Sequence, residues 1–120
     1  MNTHLINLAH ARSGDKGDIC NIGVIARRPE YYPVLVRELT AERVKAHFGD
    51  WCLGTVDRYE LPNLCALNFV LRGALDGGAL VSLRLDPQGK TYGFALLRLL
   101  IDVPEAFALE LELAREADGR

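Results

Sequence analysis

The segment Leu64–Leu71 constrains the fold more than any other part of this chain. Cys65, Leu67, Phe69 and Leu71 fall on one face at a period of two, with Asn68 and Arg72 on the other. That spacing predicts a strand with one face in a core, since successive side chains of an extended chain point to opposite sides of a sheet. Tyr59-Glu60-Leu61 precedes it across a turn at Pro62-Asn63. Asp76-Gly77-Gly78 then turns the chain back into a second alternation from Ala79 to Asp86, so an antiparallel hairpin is the simplest outcome.

Two shorter apolar runs lie near the N-terminus. Leu5–Ala11 reads as a mostly buried first strand that ends at the polar glycine cluster Ser13-Gly14-Asp15-Lys16-Gly17-Asp18, read as a loop. Asn21–Arg27 is rich in β-branched residues and stops before Arg28-Pro29. It reads as a strand, with a short helix as the other reading.

The segment Glu30–Phe48 reads as helical, with a break near Thr40. Pro33 suits a first helical turn, Thr40 is the candidate cap of a second helix, and Leu39 and Val44 are placed to form a hydrophobic staple across it. Arg43 stands where a capping box needs Glu or Gln. Gly49 supplies the stop, and Trp51 is expected to cover a core edge. Farther on, Thr91 can cap a short helix over Tyr92–Leu97 before an extended Leu99–Val103, although the same apolar run also fits one long strand.

At 120 residues, one core without covalent staples is expected. Strands with interrupting helices predict an α+β sandwich, a mainly antiparallel sheet with helices packed on one face. The domain is placed at residues 1–104, with 105–120 as a peripheral extension. A sheet left open on one face invites pairing, so a homo-oligomer is expected.

The net charge of −2, with Lys and Arg scattered, gives no footprint for nucleic acid. No apolar run is long enough for a membrane span, because Arg98 and Asp102 break the most apolar stretch. Cys20, Cys52 and Cys65 are odd in number and far apart, which reads as reduced, buried thiols in the cytoplasm rather than a metal site. Gly89-Lys90-Thr91 resembles the end of a P-loop, but Arg84 occupies the position that requires glycine. Ser13 lacks a G-x-S-x-G elbow, and neither H-E-x-x-H nor a dinucleotide fingerprint is present. The residues name no cofactor.

The remaining candidate site is the segment from Arg12 to Asp18. Two glycines there permit an anion-binding nest of backbone amides, to which Arg12 and Lys16 add positive charge while Asp15 and Asp18 oppose it. A plain polar turn held by the aspartates explains the same residues. His10 adjoins the segment and reads either as an acid–base group working with Asp15 or Asp18, or as a histidine satisfied within the sheet.

The run Leu8-Ala9-His10-Ala11-Arg12-Ser13-Gly14-Asp15-Lys16-Gly17-Asp18, followed by Asn21-Ile22-Gly23-Val24-Ile25-Ala26-Arg27, resembles the C-terminal ferredoxin-like domain of the acyclic terpene utilisation (AtuA-like) family. Tyr59-Glu60-Leu61-Pro62, Ala66–Leu71, Gly73-Ala74-Leu75, Leu83–Asp86 and Gly89-Lys90-Thr91 extend the likeness. The resemblance implies a ferredoxin-like sandwich, and a contact surface for ligand or partner made of Arg12, Ser13, Gly14, Asp15, Lys16, Gly17, Asp18 and Asn21. Longer members carry a large N-terminal domain, so the chain looks like a free-standing small domain. On that basis it is expected to be an accessory subunit of a separately encoded large AtuA-like protein, in breakdown of acyclic terpenoids or related branched acyl-CoA compounds. The alternatives are a small homo-oligomeric hydratase or lyase using His10, Asp15 and Lys16 across a subunit interface, and a module that binds CoA or another phosphate ligand.

Overall fold

The computed structural model describes residues 1–16, 19–73 and 90–111. Its strands are β1 (Asn2–His4), β2 (Ala9–Lys16), β3 (Ile19–Ala26), β4 (Val56–Leu61), β5 (Ala66–Arg72) and β6 (Leu100–Asp102). Its helices are α1 (Tyr32–Glu38), α2 (Ala41–Phe48) and α3 (Lys90–Leu96). Four strands form an antiparallel sheet in the order β2-β3-β5-β4, and β1 pairs with β6 in a small second sheet. β3, the α1–α2 pair and β4 make a split βαβ unit with β5 between the two strands, an element of the ferredoxin-like fold. β2, which precedes β3 in the chain, pairs beside it at the end of this order of described strands.

The central alternation holds. Leu67, Phe69 and Leu71 are fully buried and lie opposite Val24, Ile22 and Cys20 of β3, which are also fully buried. Val34, Leu35, Leu39, Val44, Phe48, Tyr92 and Leu96 close the same core from the helical side. Burial of each large side chain stabilises the fold by roughly 1.5–3 kcal/mol, so this two-layer core is the main cohesive term. α1 and α2 break at Thr40, whose hydroxyl accepts from the Arg43 amide at 3.1 Å, a cap worth about 1 kcal/mol. Gly49 ends α2 with φ +54°. Arg58 donates to the carbonyls of Val36 at 2.8 Å and Leu39 at 3.0 Å, pairing acceptors that the end of α1 leaves open.

Several boundaries differ from the sequence expectation. Leu5–Asn7 is a 3₁₀ turn rather than part of a strand. Leu5 and Leu8, three residues apart, both turn into the core, a spacing that a short apolar run allows for turn and strand alike. The polar cluster is not a loop over Ser13–Lys16, because those residues continue β2 and pair in register with Ile19–Ile22. Backbone pairing outweighs the loop preference of Ser, Gly and Asp. Cys65 has φ +49° and ends the Pro62–Leu64 turn, so the buried alternation starts at Ala66 and Leu67. The 91–99 region is helical to Leu96, and α3 starts at Lys90, ahead of Thr91. The hairpin expected over 76–86, Gly17, Asp18 and residues 112–120 lie outside the described residues.

The segment after Pro104 lies on the domain itself as far as Leu111. Leu111 is buried, the Phe107 ring meets Tyr31 edge-on at 5.3 Å, and Glu110 pairs with Arg28. Burial, with a hydrogen bond to Glu110, pushes the Tyr31 phenol up to about 12 from its ordinary value near 10. Between those values the unfolded chain releases a proton that the folded chain keeps, so stability falls as pH rises from about 10 to 12. Urea midpoints measured across that range are expected to drop less steeply in Tyr31→Phe than in the parent.

Cys20 and Cys52 are buried and Cys65 is partly buried. Burial pushes the Cys52 thiol up, and its Sγ lies 3.4 Å from the Arg72 carbonyl oxygen. No helix among the described residues is long and apolar enough to cross a membrane.

Candidate functional site

The three helices cover one face of the four-stranded sheet, and no helix among the described residues covers the other, open face. Directly paired residues share a face, so the open side can be read in rows from β2 to β4. One row is His10, Ile25, Ala66 and Leu61; the next is Arg12, Gly23, Asn68 and Tyr59; the third is Gly14, Asn21, Val70 and Asp57. The β2 side is polar and basic, whereas the middle and far side carry exposed apolar groups. Ile25, Tyr59 and Leu61 are 37%, 48% and 40% exposed, too large a fraction for a face sealed by the domain's own elements.

His10 is exposed on this face, and its Nε2 lies 3.3 Å from Arg27 Nη1. Desolvation first, then the charges of Arg27 and Arg12, push the imidazole below its ordinary value, so it is neutral near pH 7. Arg27 is itself anchored by its Nε–H on the Ile6 carbonyl at 2.9 Å. Arg12 is exposed and makes no ion pair among the described residues, and Asn21 is exposed beside it.

Ser13 belongs to the other side of the sheet. Its hydroxyl accepts from the Gly93 amide at 3.1 Å, fastening α3 to β2. Gly14 is exposed and extended opposite Asn21, outside the positive-φ region, so residues 12–16 by themselves make no nest, and Gly17 and Asp18, the rest of the expected site, lie outside the described residues. Asp15 pairs with Cys20 and Lys16 with Ile19 at the far end of the strand. Five residues of strand separate His10 from Asp15, roughly 16 Å, so within one chain they cannot share a proton.

A second feature lies in the helical layer. A cleft of about 430 Å³ between α2 and α3 is lined by His47, Phe48, Trp51, Ala95 and Arg98. The sequence gives Trp51 the look of a core-edge residue, and nothing local joins it to His47 or Arg98. Among the described residues, no three His, Cys, Asp or Glu side chains gather as a metal site.

No curated protein and no solved structure matches this chain. Residues 3–102 match the AtuA ferredoxin-like domain, a span that takes in both sheets and all three helices. That match covers most of the chain and agrees with the split βαβ sheet beneath one helical layer: the chain belongs to the AtuA ferredoxin-like domain family.

Proposed function

We propose that this domain is an accessory subunit that docks through its open sheet face onto a separately encoded, larger AtuA-like protein. The observation that carries this reading is the exposed patch of Ile25, Tyr59 and Leu61 beside the polar strip of His10, Arg12 and Arg27, in a domain of the AtuA ferredoxin-like family. An apolar centre with a polar rim is the usual anatomy of a protein interface. The AtuA relationship supports a place in catabolism of acyclic terpenoids or related branched acyl-CoA compounds. Separation of His10 from Asp15 along β2 favours an assisting role over independent catalysis.

Co-expression with the large AtuA-like protein of the same genome tests the proposal. Stable co-purification is expected, and Ile25→Asp should abolish it with little change in Tm, because Ile25 is already partly exposed. Unaltered co-purification of Ile25→Asp would remove the sheet face from the proposal. A monodisperse domain with its own acyl-CoA turnover would overturn the accessory role.

A further inference from the structure

We propose that the cleft between α2 and α3 binds a small monocarboxylate with an apolar or aromatic body. The cleft lies in the helical layer, on the opposite side of the sheet from the docking face, and its argument is independent of that face. Its volume of about 430 Å³ falls within the range of small-molecule sites, roughly 300–1,000 Å³.

Aromatic side chains form the apolar wall. Phe48 and Trp51 lie with their rings 28° from parallel and centroids 6.4 Å apart, and Tyr92 meets Trp51 edge-on at 6.0 Å. The Tyr92 hydroxyl donates to the Trp51 carbonyl oxygen at 2.7 Å, so the backbone that carries the indole is held in place before any ligand arrives. Trp51 is only partly buried, which leaves ring surface for a ligand to cover, and Ala95 adds a small apolar floor.

The polar end of the cleft selects an anion. Arg98 is exposed and makes no ion pair among the described residues, and a guanidinium offers two parallel donors matched to a carboxylate. His47 Nε2 lies 2.8 Å from the Ala95 carbonyl oxygen. A carbonyl only accepts, so Nε2 carries the hydrogen and the ring is held against α3 at the rim of the cleft. Among the described residues, no carboxylate lines the site to compete. One guanidinium against an aromatic wall balances a single negative charge on an apolar body better than the several charges of a polyphosphate.

Trp51 is the sole tryptophan of the sequence, so its emission reports this cleft directly. Titration with phenylacetate and octanoate is expected to give a saturable change, with little response to 2-phenylethanol or inorganic phosphate. Arg98→Gln should weaken carboxylate binding at least tenfold while Tm stays unchanged, and Ile25→Asp should leave it intact. The proposal is overturned if neither carboxylate gives a saturable change or a calorimetric heat up to about 10 mM, a very weak affinity. It is also overturned if Arg98→Gln binds like the parent, or if phosphate or the uncharged alcohol binds equally well.

Discussion

Replacing Phe69 with alanine is expected to destabilise the domain by roughly 3–5 kcal/mol, the usual cost of deleting a buried aromatic ring. Phe69 is fully buried at the middle of β5, paired with Ile22 on one side and Arg58 on the other. Its ring sits where the sheet meets the helices, so its loss leaves a void that strands on both sides hinder from closing. Small domains hold only about 5–15 kcal/mol in total, so much of the folded population is at stake. Urea denaturation followed by circular dichroism reads the effect as a lower midpoint. Val70→Ala, one residue along on the open face, should cost far less. Equal losses at the two positions would contradict the assigned register, in which a shift of one residue exchanges the faces.

Gly54→Ala is the second change expected to act strongly, at about 3 kcal/mol through overpacking. A Cβ at position 54 would stand 2.5 Å from the Arg72 carbonyl oxygen and 2.9 Å from its carbonyl carbon. Neither neighbour can swing away, because both are backbone. The Gly54 amide donates to Arg72 O at 2.9 Å, the Arg72 amide donates to Thr55 O at 2.9 Å, and the Lys45 ammonium donates to the Cys52 and Gly54 carbonyls. Relief of the clash has to break part of this bonding between β5 and the segment that enters β4. A thermal melt should show a lower Tm for Gly54→Ala, whereas Ala46→Gly on the exposed side of α2 should cost only about 1 kcal/mol of helix propensity. A Gly54→Ala protein as stable as its parent would mean that this close approach is absent in solution.

Much of the fold was legible because its signals are local. Leu67, Phe69 and Leu71 announced a half-buried strand by spacing alone, and Thr40 and Gly49 marked the start and end of α2 through preferences that act within a few residues. Errors arose where local chemistry permits two outcomes. Ser13, Gly14, Asp15 and Lys16 have loop composition, yet Ile19–Ile22 are positioned to pair with them, and the hydrogen bonds of that ladder extend β2. Leu5 and Leu8 fit either a turn or a strand, and the backbone chose a turn once the Leu5 and Ile6 amides found the carbonyls of Leu99 and Leu97.

The candidate sites divide in the same way. The sequence alone placed Arg12, Ser13, Asp15 and Lys16 in one polar stretch between the apolar runs that carry His10 and Asn21, and gave the chain an AtuA-like pattern. Only tertiary structure decided that Ser13 fastens α3 while His10 and Arg12 look outward, that Ile25 joins Tyr59 and Leu61 on one open face, and that His47, Trp51 and Arg98 border one cleft. The physical reason is range. Propensity, capping and periodicity are set by neighbours a few residues away, whereas the face a residue occupies and the partners it meets are set by which distant strands and helices bury apolar surface together.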